Sequence, residues 1–188
     1  MMAASADAEQ FAAQCAQLEG LAGADPAAFA ELLSRGVASV VCVGMAVHRQ
    51  NADVQKWGCA LLGRLAPYTS DAAGEALRAA TSGAVEAVVG ALRAHIFSLE
   101  VQEQGCSALT KLTFRSADNR ARASAVGAVE VLGACMRVHA EESPIVQEQA
   151  WYLLGALAAH AEQLTKQGTT AQEVAKLADQ MAAAATKA

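Results

Sequence analysis

Side chains able to hold a metal or attack a substrate are few in this chain, and their spacing is regular. Three of the four histidines, His48, His95 and His139, lie 47 and then 44 residues apart. The five cysteines, Cys15, Cys42, Cys59, Cys106 and Cys135, include no CxxC pair. Metal chemistry would require imidazoles and thiolates to converge on one ion. Nucleophilic chemistry would require a cysteine beside a base, as Cys106 with His95 could provide, and general acid-base work could be sought in the pair Glu141 and Glu142.

The elements that must position these groups argue for a different reading. Each of the three histidines lies twelve residues after a glycine, Gly36, Gly83 or Gly127, that leads a run of small and branched apolar residues. Each is followed by a helix written almost identically: VQKWGCALLGRL from Val54, VQEQGCSALTKL from Val101 and VQEQAWYLLGAL from Val146. Successive landmarks are separated by 47 and then 44 or 45 residues, the difference being one extra residue in AEESPI between His139 and Val146. The histidines therefore belong to successive copies of one unit and sit about one repeat apart. Near the end of a helix, each is expected to cap that helix's carbonyls and to respond to its dipole. Cys106 and His95 are likewise explained by the repeat, the cysteines read as small buried hydrophobes, and Glu141 and Glu142 fall in a solvated link beside Pro144. With no phosphate loop, nucleophile elbow or HExxH, the sequence offers no catalytic residue, metal or cofactor, and the expectation is a chain that is not an enzyme.

One unit reads as three helices: DAAGEALRAATS at residues 71–82, GAVEAVVGALRAH and SLEVQEQGCSALTKLTF. Asn51, Ser98 and Ser143 stand three residues before the repeated valines, where a short polar side chain can cap the third helix, and Pro144 suits the first helical position. The apolar positions of that helix, Val101, Cys106, Ala108, Leu109 and Leu112, recur as Val54, Cys59, Leu61, Leu62 and Leu65. The small residues Gly58, Gly105 and Ala150 would admit a neighbouring helix closely. A unit this short leaves an apolar face open, so successive units must stack to bury it.

Composition agrees. The 188 residues are 54% hydrophobic and 18% charged, with 4% aromatics and only three prolines, which favours an all-α protein with a sizeable core. A net charge of −5 argues against nucleic acid. The terminus MMAASADAEQ has neither a secretory pattern nor a glycine after the initiator, and the longest apolar run, residues 36–47, falls short of the ~20 residues of a membrane helix. The expectation is a cytoplasmic chain with reduced thiols and no membrane insertion.

The stretch GAVEAVVGALRAHIFSLEVQEQGCSALTKL, with its glycine-led second helix, polar link and VQxxAxxAL-like third helix, resembles the armadillo repeat family. The resemblance spans about residues 25–163 as three units, 25–69, 70–115 and 116–163. It implies a right-handed α-solenoid, an armadillo-like superhelix of about three three-helix repeats, with residues 1–24 as an amino-terminal capping helix and 164–188 as a carboxyl-terminal capping helix with a frayed tail. Phe11, Cys15 and Leu18 mark the inner face of the first cap. Val174, Leu177 and Met181 mark that of the second, with Thr170 as its cap.

In that family the third helices line a concave groove. Counting three, six and ten residues beyond each valine gives Trp57, Ala60 and Arg64, then Gln104, Ser107 and Lys111, then Gln149, Tyr152 and Ala156, with Tyr68, Arg115 and His160 extending the stripe. The implied function is a scaffold or adaptor that holds a protein segment, with Arg64 and Lys111 pairing carboxylates and Trp57 and Tyr152 supplying contact area. The tenth position carries asparagine in family members that bind extended peptides, and here it holds Arg64, Lys111 and Ala156, which counts against a nuclear localisation segment. The competing expectation is a structural subunit, or a fragment of a larger helical-repeat assembly, that works through its ends or convex face. The sequence sets no oligomeric state.

Overall fold

The computed structural model describes residues 2–66 and 83–166, and these are all-α. Nine helices occur among the described residues: α1 (Met2–Ala24), α2 (Pro26–Ser34), α3 (Val37–Val47), α4 (Ala52–Arg64), α5 (Ala84–Ala94), α6 (Leu99–Thr113), α7 (Ala117–Ala125), α8 (Ala128–Val138) and α9 (Pro144–Lys166). The helix expected at 71–82, the carboxyl-terminal cap with Thr170, Val174, Leu177 and Met181, and Tyr68 lie outside the described residues. No single described helix is long and apolar enough to cross a membrane.

The repeated sequence folds as repeated local geometry. Gly36, Gly83 and Gly127 take left-handed φ values of 67°, 88° and 80°, a conformation that costs other residues a Cβ clash. Each then opens an 11-residue helix, α3, α5 or α8, that closes at His48, His95 or His139. The third helices α4, α6 and α9 begin where the capping residues place them. Asn51 Oδ1 accepts the Val54 amide at 3.0 Å and Ser143 Oγ accepts that of Val146 at 3.3 Å. Ser98 holds the same position without that bond, and its hydroxyl donates to Glu100 at 3.2 Å.

The glutamine after each repeated valine closes the preceding helix. Gln55 Nε2 donates to the Met45 and His48 carbonyls, Gln102 Nε2 to those of Leu92 and His95, and Gln147 Nε2 to those of Met136 and His139, at 2.8–3.3 Å. The expectation that the histidines cap these carbonyls is thereby corrected. A side-chain amide reaching back from the next helix serves two carbonyls at once, those of His48 and His95 accepting the Asn51 and Ser98 amides as well. That frees the imidazoles for longer bonds: His95 Nε2 lies 2.8 Å from the Arg49 carbonyl oxygen, and His139 Nε2 lies 2.8 Å from that of Ile96. Each thus links the end of its own second helix to the residue after the previous histidine. His48 has the amino-terminal helix on that side, with its ring 6.0 Å from that of Phe11.

Packing follows from these registers. The helix α1 lies on α4, α4 on α6, and α6 on α9, while α3, α5 and α8 pack behind their own third helices. The core is the leucine layer of the third helices, Leu61, Leu62, Leu65, Leu109, Leu112, Leu153 and Leu157, closed by Leu92 and Leu132. Phe11, Cys15 and Leu18 join this core from α1. Gly58 and Gly105 face Met45 and Leu92 at distances that leave no room for a β-carbon, so the second helix of the same unit is the neighbour they admit. A β-carbon at Gly63 would stand 2.9 Å from the Ala108 α-carbon, so α4 and α6 touch nearly backbone to backbone there.

Candidate functional site

The third helices hold a row of partly uncovered side chains beside this buried seam. Trp57, Ala60, Arg64, Gln104, Ser107, Lys111, Gln149 and Ala156 are half-buried, and Tyr152 is exposed. Spacings of three and four residues keep each set on one side of its helix, away from the leucine layer. Trp57 packs against the core with one edge and carries the Lys56 ammonium 4.9 Å from its ring centroid.

The electrostatics of the row centre on three elements. Arg64 donates to Glu19 of α1, Nε at 2.9 Å and Nη2 at 2.5 Å to the same oxygen. Burial holds the Lys111 ammonium below the usual lysine range, and the nearby Arg64 charge adds to this while Glu19 opposes it. Arg64 and Lys111 are therefore electrostatic neighbours from successive units, as the shared tenth position implies, and Glu19 partly neutralises them. This carboxylate, 45 residues from Arg64, could not be assigned from repeat counting because the repeat does not contain α1.

The two outer residues of the stripe are placed differently from the expectation. Because α6 ends at Thr113, Arg115 falls beyond the helix, exposed, at a left-handed φ of 52° and with its guanidinium 5.3 Å from the Phe114 ring centroid. Helix α9 instead continues to Lys166, and His160, only 6% exposed, turns inward. Neither of its ring nitrogens has a hydrogen-bond partner among the described residues. Burial, and then the charge of Arg120, push its pKa down, with Asp118 opposing.

Sequence reasoning missed one exposed group. Trp151 is 57% exposed beside Tyr152 at 51%, although the equivalent residues Cys59 and Cys106 are fully buried. The signal was present: tryptophan stands where two units carry cysteine.

The groups with chemical potential are occupied otherwise. His95 is committed to the Arg49 carbonyl, and the Cys106 thiol faces Cys135 with sulfurs 4.0 Å apart. Burial pushes the Cys59 thiol up to about 12 and those of Cys15 and Cys42 up to about 11, Glu86 adding to the effect at Cys42. Cys106 is also pushed up, first by its hydrogen bond to Cys135 and then by burial. Such thiols are protonated at neutral pH and are poor nucleophiles and ligands. Glu142 bonds His139 Nδ1 at 2.8 Å, and Glu141 is exposed. No group of three or more His, Cys, Asp or Glu side chains suited to a metal ion occurs among the described residues. Comparison with family models, with curated proteins and with solved structures gives no match for this chain.

Proposed function

We propose that the chain is a non-catalytic scaffold of armadillo-like design, a right-handed α-solenoid whose units at 25–69, 70–115 and 116–163 present their third helices to a protein segment. The supporting observation is the recurrence of one register. The glutamine clamp appears in all three units, and the row containing Trp57, Arg64, Gln104, Ser107, Lys111, Gln149 and Tyr152 stays partly uncovered beside a closed leucine layer. A surface that is polar, aromatic and backed by rigid helices suits recognition better than chemistry. Lys111 beside Arg64 favours an acidic segment, whose carboxylate would compete with or join Glu19 on the guanidinium. The net charge of −5 speaks against nucleic acid, and five free cysteines favour a reducing compartment such as the cytoplasm.

The test is binding of an array of acidic peptides to the purified chain and to Lys111→Glu. The reading requires weaker binding by the variant at unchanged helicity, and equal binding would overturn it. A second reading, a structural subunit that works through its ends, is favoured by the exposed Trp151 on the last third helix.

A further inference from the structure

The repeat relates each third helix to the one that covers it, and this relation singles out the last of them. Nine residues beyond the repeated valine stand Gly63 in α4 and Gly155 in α9. At Gly63 the neighbouring helix arrives so closely that a β-carbon would meet the Ala108 backbone, whereas at Gly155 a β-carbon would meet nothing within 4 Å. Five residues beyond the valine, Cys59 and Cys106 are buried and Trp151 is exposed. The side of α9 that corresponds to the covered side of α4 is therefore open among the described residues, and it carries an aromatic anchor beside a glycine.

The composition of that side states what would cover it. Glu148, Tyr152, Gly155, Ala159 and Glu162 recur at intervals of four, three, four and three residues and are all exposed, with Trp151 adjoining Tyr152. This is the spacing of a single seam that a second helix can follow. Gly155 and Ala159 allow the axes to approach closely, and Trp151 and Tyr152 provide the large apolar contact. The only ionisable carboxylates on the seam, Glu148 and Glu162, stand at its two ends without an ion-pair partner among the described residues. They lie seven residues either side of Gly155, about 21 Å apart along the helix.

We propose that this face of α9 docks an amphipathic helix of a partner protein that carries a lysine or arginine at each end of its apolar stripe. Charge complementarity selects this occupant. A second copy of the chain crossing antiparallel at Gly155 would set Glu148 against Glu162 twice, and a copy stacked through α1 would bring the exposed Asp7 and Glu9 against the same carboxylates. The site shares Tyr152 with the third-helix row but neither Arg64 nor Lys111, and it prefers the opposite charge, so the charge-reversed peptides and Lys111→Glu tell the failure of one from the failure of the other.

The experiment uses the full chain and a designed four-turn helical peptide with a leucine and alanine stripe flanked by two lysines 14 residues apart, together with the same peptide bearing glutamates. The lysine peptide is expected to bind, the glutamate peptide at least about tenfold more weakly. Glu148→Lys with Glu162→Lys should reverse that preference. Gly155→Arg, which enters open space and leaves the fold intact, should abolish binding, while Lys111→Glu should not affect it. A benzophenone amino acid at position 155 then reports the occupant directly. Cross-links to the lysine peptide support the proposal. Cross-links to residues 167–188 of the same chain, or to a second copy, overturn it, as does equal binding of both peptides or none.

Discussion

His139 Nε2 stands 2.8 Å from the carbonyl oxygen of Ile96, and His95 repeats the relation to Arg49 one unit earlier at the same distance. The bond crosses from one unit to the next, whereas the glutamine clamp stays within a unit. The histidine spacings of 47 and 44 residues that look like a scattered metal site are the period of the repeat seen through one side chain.

The buried imidazole should matter more than the half-exposed one. His139→Ala removes bonds to Ile96 and Glu142 from a residue only 2% exposed, and a loss of about 2–3 kcal/mol is expected. His95→Ala should cost about 1 kcal/mol. Urea denaturation of both variants decides this, and equal small losses would deny the inter-unit bond its role.

Gln102 makes two carbonyl bonds at 2.9 Å from a fully buried position. Gln102→Ala should cost about 1–2 kcal/mol, chiefly by taking this donor from the Leu92 carbonyl, while that of His95 keeps the Ser98 amide. Gln102→Glu should be worse at neutral pH, because a carboxylate offers no donor, and should recover as the pH falls and the acid becomes protonated. A Glu variant less destabilised than the Ala variant at pH 7 would contradict the clamp.

Two glycines at the same repeat position should respond oppositely. Gly63→Ala forces a β-carbon into the Ala108 backbone and should cost about 1–3 kcal/mol. Gly155→Ala meets open space and should be neutral or stabilise α9 by up to about 1 kcal/mol. Thermal unfolding of the pair measures the contrast.

The buried His160 gives a pH dependence of definite sign. Its folded-state pKa lies below the unfolded value, so the unfolded chain binds the proton more readily. Its contribution is fully present above about pH 6.5 and is lost as the pH falls below that value, levelling off below the folded pKa. His160→Leu should flatten the stability profile between pH 7 and 5. A profile unchanged by the substitution would show that the ring is not held neutral.

Much of this was legible in the residues. Asn51 and Ser143 cap where their spacing places them, the left-handed glycines open the second helices, and Gly58 and Gly105 sit at close approaches. What escaped depends on long-range docking. Whether Gln or His caps a helix end turns on which side chain reaches back across the link, and Glu19 meets Arg64 only because α1 lies on α4. Arg115 and His160 share a repeat position but not an environment, because α6 ends at Thr113 and α9 runs on to Lys166. Helix length, set by the chain that follows, is not a periodic property.

The most direct test of the third-helix face is cross-linking of the chain in lysate, read by mass spectrometry for wild type and for Lys111→Glu. The prediction is links from other proteins concentrated on residues 54–64, 101–111 and 146–156, with those on 54–64 and 101–111 lost in the variant. Links that avoid these helices, or that persist unchanged on 54–64 and 101–111 when Lys111 becomes acidic, would contradict it.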